Sequence, residues 1–254
     1  MKAIIFGGSS GIGKAVAKRC AQECNDLLIC SRNEDKLSKT VEEIRTLNTC
    51  RVSYKIVDLS DTDNLSFLLD EIVESFGIPD YVLLNGGGPP FGTFESIELE
   101  TWYQYFNQII ISNIQILKKF LPLMRSKGSV VFILSDVIRN AGAGKVLPCS
   151  LRMALMGIFK CLSFEYAERS IRLNAVSPGP TQTERAVNLL NSSAEKQNIS
   201  FEEMKIKFCS NLPMKRMASP EEVAEIVHFL FSEKSSYITG CNIMCDGGLT
   251  VAPF

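Results

Sequence analysis

Apolar runs of strand length alternate with segments of helical period from one end of the chain to the other. The runs at 2–7, 26–31, 52–57, 80–85, 129–134, 171–177 and 241–245 predict strands. Between them, 11–24, 34–47, 61–76, 99–125, 150–168 and 220–232 repeat apolar positions at the spacing of an amphipathic helix. In 11–24, for example, Ile12, Val16, Ala17 and Cys20 share one face while Lys14, Lys18 and Arg19 share the other. Strands alternating with helices in this way predict an α/β fold. Its sheet is parallel and doubly wound, with helices on both faces in a Rossmann-like, three-layer arrangement. There is no internal repeat, low-complexity tract or Pro/Ser-rich linker, so 1–254 reads as a single domain. The stretch 180–218 breaks the alternation. It predicts two short helices, 184–191 and 200–209, joined by Asn191-Ser192-Ser193, in the place where α/β folds carry a substrate lid.

Charge and cysteine content narrow the function. With 27 basic and 28 acidic residues the net charge is -1, too even a balance to imply nucleic acid or an anionic membrane as partner. No uninterrupted apolar stretch is long enough to span a bilayer, and the chain opens directly into a strand-like run. Nine cysteines, an odd number, predict buried free thiols in a reducing cytoplasm. With one histidine, His228, and no Cys-x-x-Cys pair, no metal site is expected.

The chemistry begins just after the first strand, at Gly7-Gly8-Ser9-Ser10-Gly11-Ile12-Gly13, which runs straight into a helix. Glycines there allow a tight turn and a close approach of backbone to a pyrophosphate, and the free N–H groups of the helix start bind the anion. The Gly-x-x-x-Gly-x-Gly spacing resembles that of the short-chain dehydrogenase/reductase family, with Phe6 where the usual form has Thr. The resemblance runs on through Asp58-Leu59, Asn85-Gly86-Gly87, Asn174 to Gly179, Tyr237 to Gly240 and Asp246-Gly247-Gly248, in the family order. It implies a nicotinamide dinucleotide held by Gly7, Ser9, Ser10, Gly11, Ile12 and Gly13. Asp58 and Leu59 would lie against the adenine, and Asn85, Gly86, Gly87, Pro178, Gly179, Thr181 and Thr183 would lie towards the nicotinamide end.

The second strand ends in Ser31-Arg32, where an NAD-specific sheet carries an acid for the adenosine 2′-hydroxyl. A hydroxyl and a guanidinium favour a 2′-phosphate instead, so NADP(H) is the expected cofactor.

The family's Asn, Ser, Tyr and Lys relay is largely missing. Its positions fall on Ile109, Ser135, Pro148 and Arg152, and none of the six tyrosines has a lysine four residues on. Ser135 is the expected contact for a carbonyl oxygen, Arg152 the expected donor to ribose hydroxyls, and Cys149 a candidate proton donor. Asp136, Tyr103 and Tyr105 are further candidates. Gly87-Gly88-Pro89-Pro90, Arg152 and an insert at 199–219 resemble a divergent branch of the family related to 3-oxoacyl-carrier-protein reductases.

Three functions stay open. One is an NADP(H)-dependent oxidoreductase for a small-molecule carbonyl or alcohol, slowed by ~10²–10⁴-fold unless another acid replaces the Tyr. Another is a non-catalytic NADP(H)-binding sensor or assembly partner, and the third is a different chemistry using Cys149 or Asp136. The resemblance also implies a homo-oligomer, dimer or tetramer, built through the helices at 99–125 and 150–168.

Overall fold

The structure, a computed structural model, describes residues 1–47 and 50–251; the end of the 1–254 span lies outside the described residues. Seven strands form one sheet: β1 (Lys2–Phe6), β2 (Asp26–Ser31), β3 (Arg51–Ile56), β4 (Tyr81–Leu84), β5 (Ser129–Ile133), β6 (Arg172–Pro178) and β7 (Asn242–Cys245). Their order is β3-β2-β1-β4-β5-β6-β7, and every pairing is parallel. The helices are α1 (Gly11–Cys20), α2 (Glu34–Leu47), α3 (Thr62–Ser75), α4 (Leu99–Phe106), α5 (Ser112–Phe120), α6 (Val146–Glu165), α7 (Glu184–Gln197), α8 (Phe201–Ser210) and α9 (Pro220–Phe231). The expected doubly wound α/β fold is the observed one.

Alternation along the strands divides the core into two layers. Ile4, Val130 and Phe132 point to one face, where Leu65 and Leu69 of α3, Phe120 of α5 and Phe159 of α6 cover them. Ile5, Val131 and Val176 point to the other, under Val16 of α1, Leu37 of α2 and Val227 of α9. Each such fully buried side chain contributes roughly 1.5–3 kcal/mol against exposure. Because both faces are covered, β5 and β6 are buried at every position, and β5 accordingly reads as an almost continuous apolar run.

Some boundaries differ from the periodicity, each for a local reason. The predicted helix at 99–125 is interrupted by a π-helical turn, Asn107–Ile111, between α4 and α5. Ser112 and Asn113 donate side-chain hydrogen bonds back to Gln108 O and Ile109 O, at 2.6 and 2.5 Å. Back-bonding of this type competes with the regular ladder and distorts a helix. In the insert, α7 runs through the polar Asn191-Ser192-Ser193 instead of ending there, with the Ser193 hydroxyl donating to Leu189 O at 2.8 Å. The helix stops at Asn198, which takes a left-handed φ of 52°.

α6 begins at Val146, earlier than 150, and carries Pro148 in its first turn, where a missing N–H is harmless. It is the one described helix long and apolar enough to cross a bilayer, at 20 residues and a hydropathy of 1.4, a feature the apolar-run reading passes over. Leu147, Leu151, Leu155 and Phe159 nevertheless bury its inner face in the core.

One buried charge holds this core together. Arg172 at the start of β6 is only 7% exposed and spends its guanidinium on the end of α9. It donates to Leu230 O at 2.7 Å, Phe231 O at 3.1 Å, Ser232 O at 3.2 Å and Ser235 Oγ at 2.8 Å. The three oxygens of residues 230–232 are orphan carbonyls at a helix C-terminus, where a cation is also favoured by the helix dipole. Arg172→Met is expected to destabilise the fold by about 2 kcal/mol, since Phe231 O would be buried without a donor and Leu230 O and Ser232 O would keep only their serine donors. Denaturant unfolding at constant m-value reads this directly, and a change below about 0.5 kcal/mol would contradict the capping role.

Candidate dinucleotide cleft and substrate pocket

The strand order reverses between β1 and β4, and the crevice of an open parallel sheet opens above such a switch point. A cleft of about 830 Å³ lies there, along the carboxyl ends of the strands. Its floor at one end is the turn from β1 to α1. Gly7 and Gly11 take φ values of +68° and +52°, and a Cβ on Gly11 would come 3.0 Å from the Thr183 side chain. Ser10 caps α1 without a side-chain hydrogen bond, so the first N–H groups of the helix stay free for an anion. The turn is tied to β4 by Asn85 Nδ2, which donates to Gly7 O at 3.2 Å. A cradle this close to backbone, with unspent amides at a helix start, fits the pyrophosphate of a dinucleotide.

Beyond the turn, the end of β2 forms one end of the cleft. Ser9 Oγ donates to Ser31 Oγ at 2.8 Å, and Arg32 projects from the cleft wall exposed. Lys36 also lines this end and reaches across to Glu184 of α7 at 2.6 Å. Asp58 and Leu59 border the cleft, with the Asp58 carboxylate accepting from Ser60 N at 2.9 Å and Ser60 Oγ at 2.7 Å. The thiol of Cys30 forms part of the floor, and burial pushes it far up, so it stays protonated.

At the opposite end, Ser135, Pro148 and Arg152 face Gly86, Gly87, Gly88 and Pro89 across the cleft. Ser135 Oγ lies 3.1 Å from Asp136 Oδ1, while Asp136 itself also accepts from Asn140 and does not line the cleft. Arg152 is 7% exposed, and its guanidinium donates to Gly87 O. Burial, then the neighbouring charge of Arg185, push its pKa down to about 10. Pro178, Gly179, Thr181 and Thr183 close the wall from the end of β6. Thr183 spends its hydroxyl as the N-cap of α7, accepting from Ala186 N at 3.3 Å.

Nearly all the residues singled out from sequence therefore meet in one cleft. Two do not line it. Gly13 sits beneath the turn, where a Cβ would land on Gly7 O, so it acts by letting the helix pack close. Cys149 is half-buried on α6 and outside the cleft lining: Pro148 and Arg152, four apart, share the inward face, and the next residue is turned away. Among the other candidates, Tyr103 is exposed, and neither it nor Tyr105 lines the cleft. Gln108, which donates to Gly86 O at 2.9 Å, and Arg185 were not foreseen. Neither carries a local motif, and only the fold brings them here.

A parallel sheet of this order with a glycine-lined crevice at its switch point defines a dinucleotide-binding protein of the doubly wound class. Residues 7–250 match the family described as Enoyl-(Acyl carrier protein) reductase. The chain is 31% identical over 251 residues to the NADPH-dependent reductase BacG of Bacillus subtilis, a match spanning 97% of this chain and 96% of BacG. Among solved structures it is similar to L-sorbose reductase from Gluconobacter frateurii, complexed with NADPH and L-sorbose. That match has a TM-score of 0.93 at 25% identity and covers 99% of this chain and 97% of the other. It is likewise similar to YwfH, an NADPH dependent reductase involved in bacilysin biosynthesis, with a TM-score of 0.91 at 29% identity over 99% and 98% of the two chains. The chain belongs to the short-chain dehydrogenase/reductase family.

Proposed function

We propose that the protein is an NADP(H)-dependent oxidoreductase that acts on a carbonyl or alcohol substrate through a non-standard proton relay. The observation that carries this reading is a single cleft with Ser31 and Arg32 at one end and Ser135 and Arg152 at the other. NADP(H) is also what the printed names of BacG, YwfH and the sorbose reductase complex associate with those relatives. Gly7, Ser9 to Gly13, Ser31, Arg32, Asp58, Leu59, Asn85 to Gly87, Pro178, Gly179, Thr181 and Thr183 would hold the nucleotide, and Arg152 would donate to its ribose hydroxyls. When bound there, it supplies or accepts the hydride.

The chain's own residues supply position and charge. Ser135 orients the substrate oxygen. Arg152 stays protonated at neutral pH even at a pKa near 10, so it stabilises a developing oxyanion as a fixed charge and leaves proton delivery to water. Cys149 and Asp136, outside the cleft lining, take no part in this step. The segment 180–218 is the substrate lid. Its two ends are clasped by a bridge between Thr181 and Ala218, and Leu190, Ala194, Met204, Leu212 and Met217 give it a small core of its own. A second copy of the chain would cover the outer groove of α5 and α6, lined by Ile114, Leu117, Leu121, Ile158, Leu162 and Tyr166. The setting is the cytoplasm, which keeps the nine thiols reduced.

Calorimetric titration with NADPH and NADH, followed by NADPH oxidation in the presence of an activated diketone, tests the reading. NADPH is expected to bind at least about tenfold tighter than NADH, a difference of ~1.4 kcal/mol. Arg32→Asp is expected to remove or reverse that preference, because a carboxylate repels the 2′-phosphate and accepts from a 2′-hydroxyl. Equal ratios in the two proteins would refute the role given to Arg32. Tight NADPH binding without turnover of any carbonyl would leave a non-catalytic nucleotide-binding protein.

A further inference from the structure

Arg152 is not alone at the substrate end. Arg185, in the first turn of α7, reaches over the cleft and donates to Gly88 O and, at 2.6 Å, to Pro89 O. Two guanidinium groups are thus anchored on successive carbonyls of one loop, whose Cα atoms are only ~3.8 Å apart. Among the described residues neither has a carboxylate partner, whereas Lys36 at the other end is paired with Glu184. Like charges held this close, one of them buried, repel each other, and burial lowers both below the ordinary arginine range. A fold that gathers two positive charges in a partly dry pocket is complementary to an anion, since a guanidinium fork matches a carboxylate bidentately.

The nucleotide's own phosphates have other partners. The pyrophosphate fits the free amides at Gly11 and a 2′-phosphate fits Arg32, both upstream of the Gly87–Pro89 loop. Beside Arg185, Phe91 and Leu189 line the cleft with half-exposed apolar surface, enough to cover a hydrophobic body.

We propose that the substrate carries a carboxylate close to its reacting carbonyl, with Arg185 holding the carboxylate and Arg152 the carbonyl oxygen. This rests on the oxidoreductase reading above and gives it a substrate class, an apolar oxo- or hydroxy-acid.

The test is equilibrium binding of two probes of one shape, phenylacetate and phenylacetamide, to the protein saturated with NADP+, read by calorimetry. Phenylacetate is expected to bind at least about tenfold tighter, as charge-assisted hydrogen bonds require. Arg185→Gln is expected to erase that preference while NADP+ affinity stays within about twofold, and Arg185→Lys to keep part of it. Equal affinities for the two probes in the unaltered protein would overturn the proposal. So would an Arg185→Gln protein that keeps the preference but loses tenfold or more in NADP+ affinity, because Arg185 would then serve the cofactor. If NADP+ itself does not bind, the oxidoreductase reading falls separately. The same probes are then titrated into the nucleotide-free protein, where a phenylacetate preference sensitive to Arg185 upholds the anion pocket and equal affinities overturn it.

Discussion

Gly13→Ala is expected to weaken NADPH binding by ~5–150-fold while the chain still folds. The added Cβ would fall on Gly7 O and lie 2.9 Å from Asn85 Nδ2. Neither neighbour can yield cheaply. Gly7 is backbone held at a positive φ, and Asn85 is already bonded to its oxygen. Overpacking of this type costs ~1–3 kcal/mol. Here the strain is relieved by moving the turn, so most of it appears as lost anion binding, at a factor of ten per ~1.4 kcal/mol. Thermal melting separates this from simple destabilisation. Saturating NADPH should raise the Tm of the unaltered protein and leave the Gly13→Ala protein almost unmoved at the same concentration. Gly142 is the control, because a Cβ there meets nothing within 4 Å, and Gly142→Ala should bind NADPH normally. If Gly13→Ala kept NADPH affinity within threefold, the turn would not be the phosphate cradle.

That a single glycine can be singled out this way shows which parts of the site were legible. The β1–α1 turn is local: seven consecutive residues supply the bend, the close approach and the helix start, so their order alone exposes the chemistry. The central strands were legible for a similar reason. Val130 to Ile133 are buried on both sides of the sheet, and no polar residue occurs in their run. Edge strand β3 keeps only Val52 fully inside, yet its β-branched and aromatic residues still read as a strand. Legibility fails where function depends on distant segments meeting. Arg185 is an ordinary cation in a polar helix until the fold sets it on Gly88, about a hundred residues earlier in the chain. Cys149 shows the opposite error. It adjoins Pro148 in sequence, but one residue along a helix turns a side chain by roughly 100°, away from the cleft that Pro148 lines. The interruption of the helix at Asn107–Ile111 was hidden too, because Ser112 and Asn113 have side chains equally able to face solvent.

Arg152→Met should separate activity from stability in opposite directions. The variant is expected to lose ~10²–10³-fold in kcat for carbonyl reduction, the usual effect of removing one preorganised oxyanion donor. Folding should move the other way. With a folded-state pKa near 10, well below that of arginine in the open chain, the buried guanidinium destabilises the native state by about 3 kcal/mol. The sign follows from proton counting. Below pH 10 both states are protonated and the penalty is complete; above it the unfolded chain binds the extra proton, and the penalty fades as pH rises. At pH 6–9 the substitution therefore removes a constant cost. Against this, Gly87 O loses its donor, a loss of ~1 kcal/mol or more. The net expectation is a gain of up to ~2 kcal/mol, flat across pH 6–9, in a protein of similar core volume. Denaturant unfolding at several pH values and steady-state kinetics on the same preparation check both halves. Retained kcat would remove Arg152 from the reacting centre. A loss of stability above about 1 kcal/mol would mean that its anchor on the Gly87 loop outweighs the cost of burying its charge, making it a structural tie with no electrostatic strain to trade for catalysis.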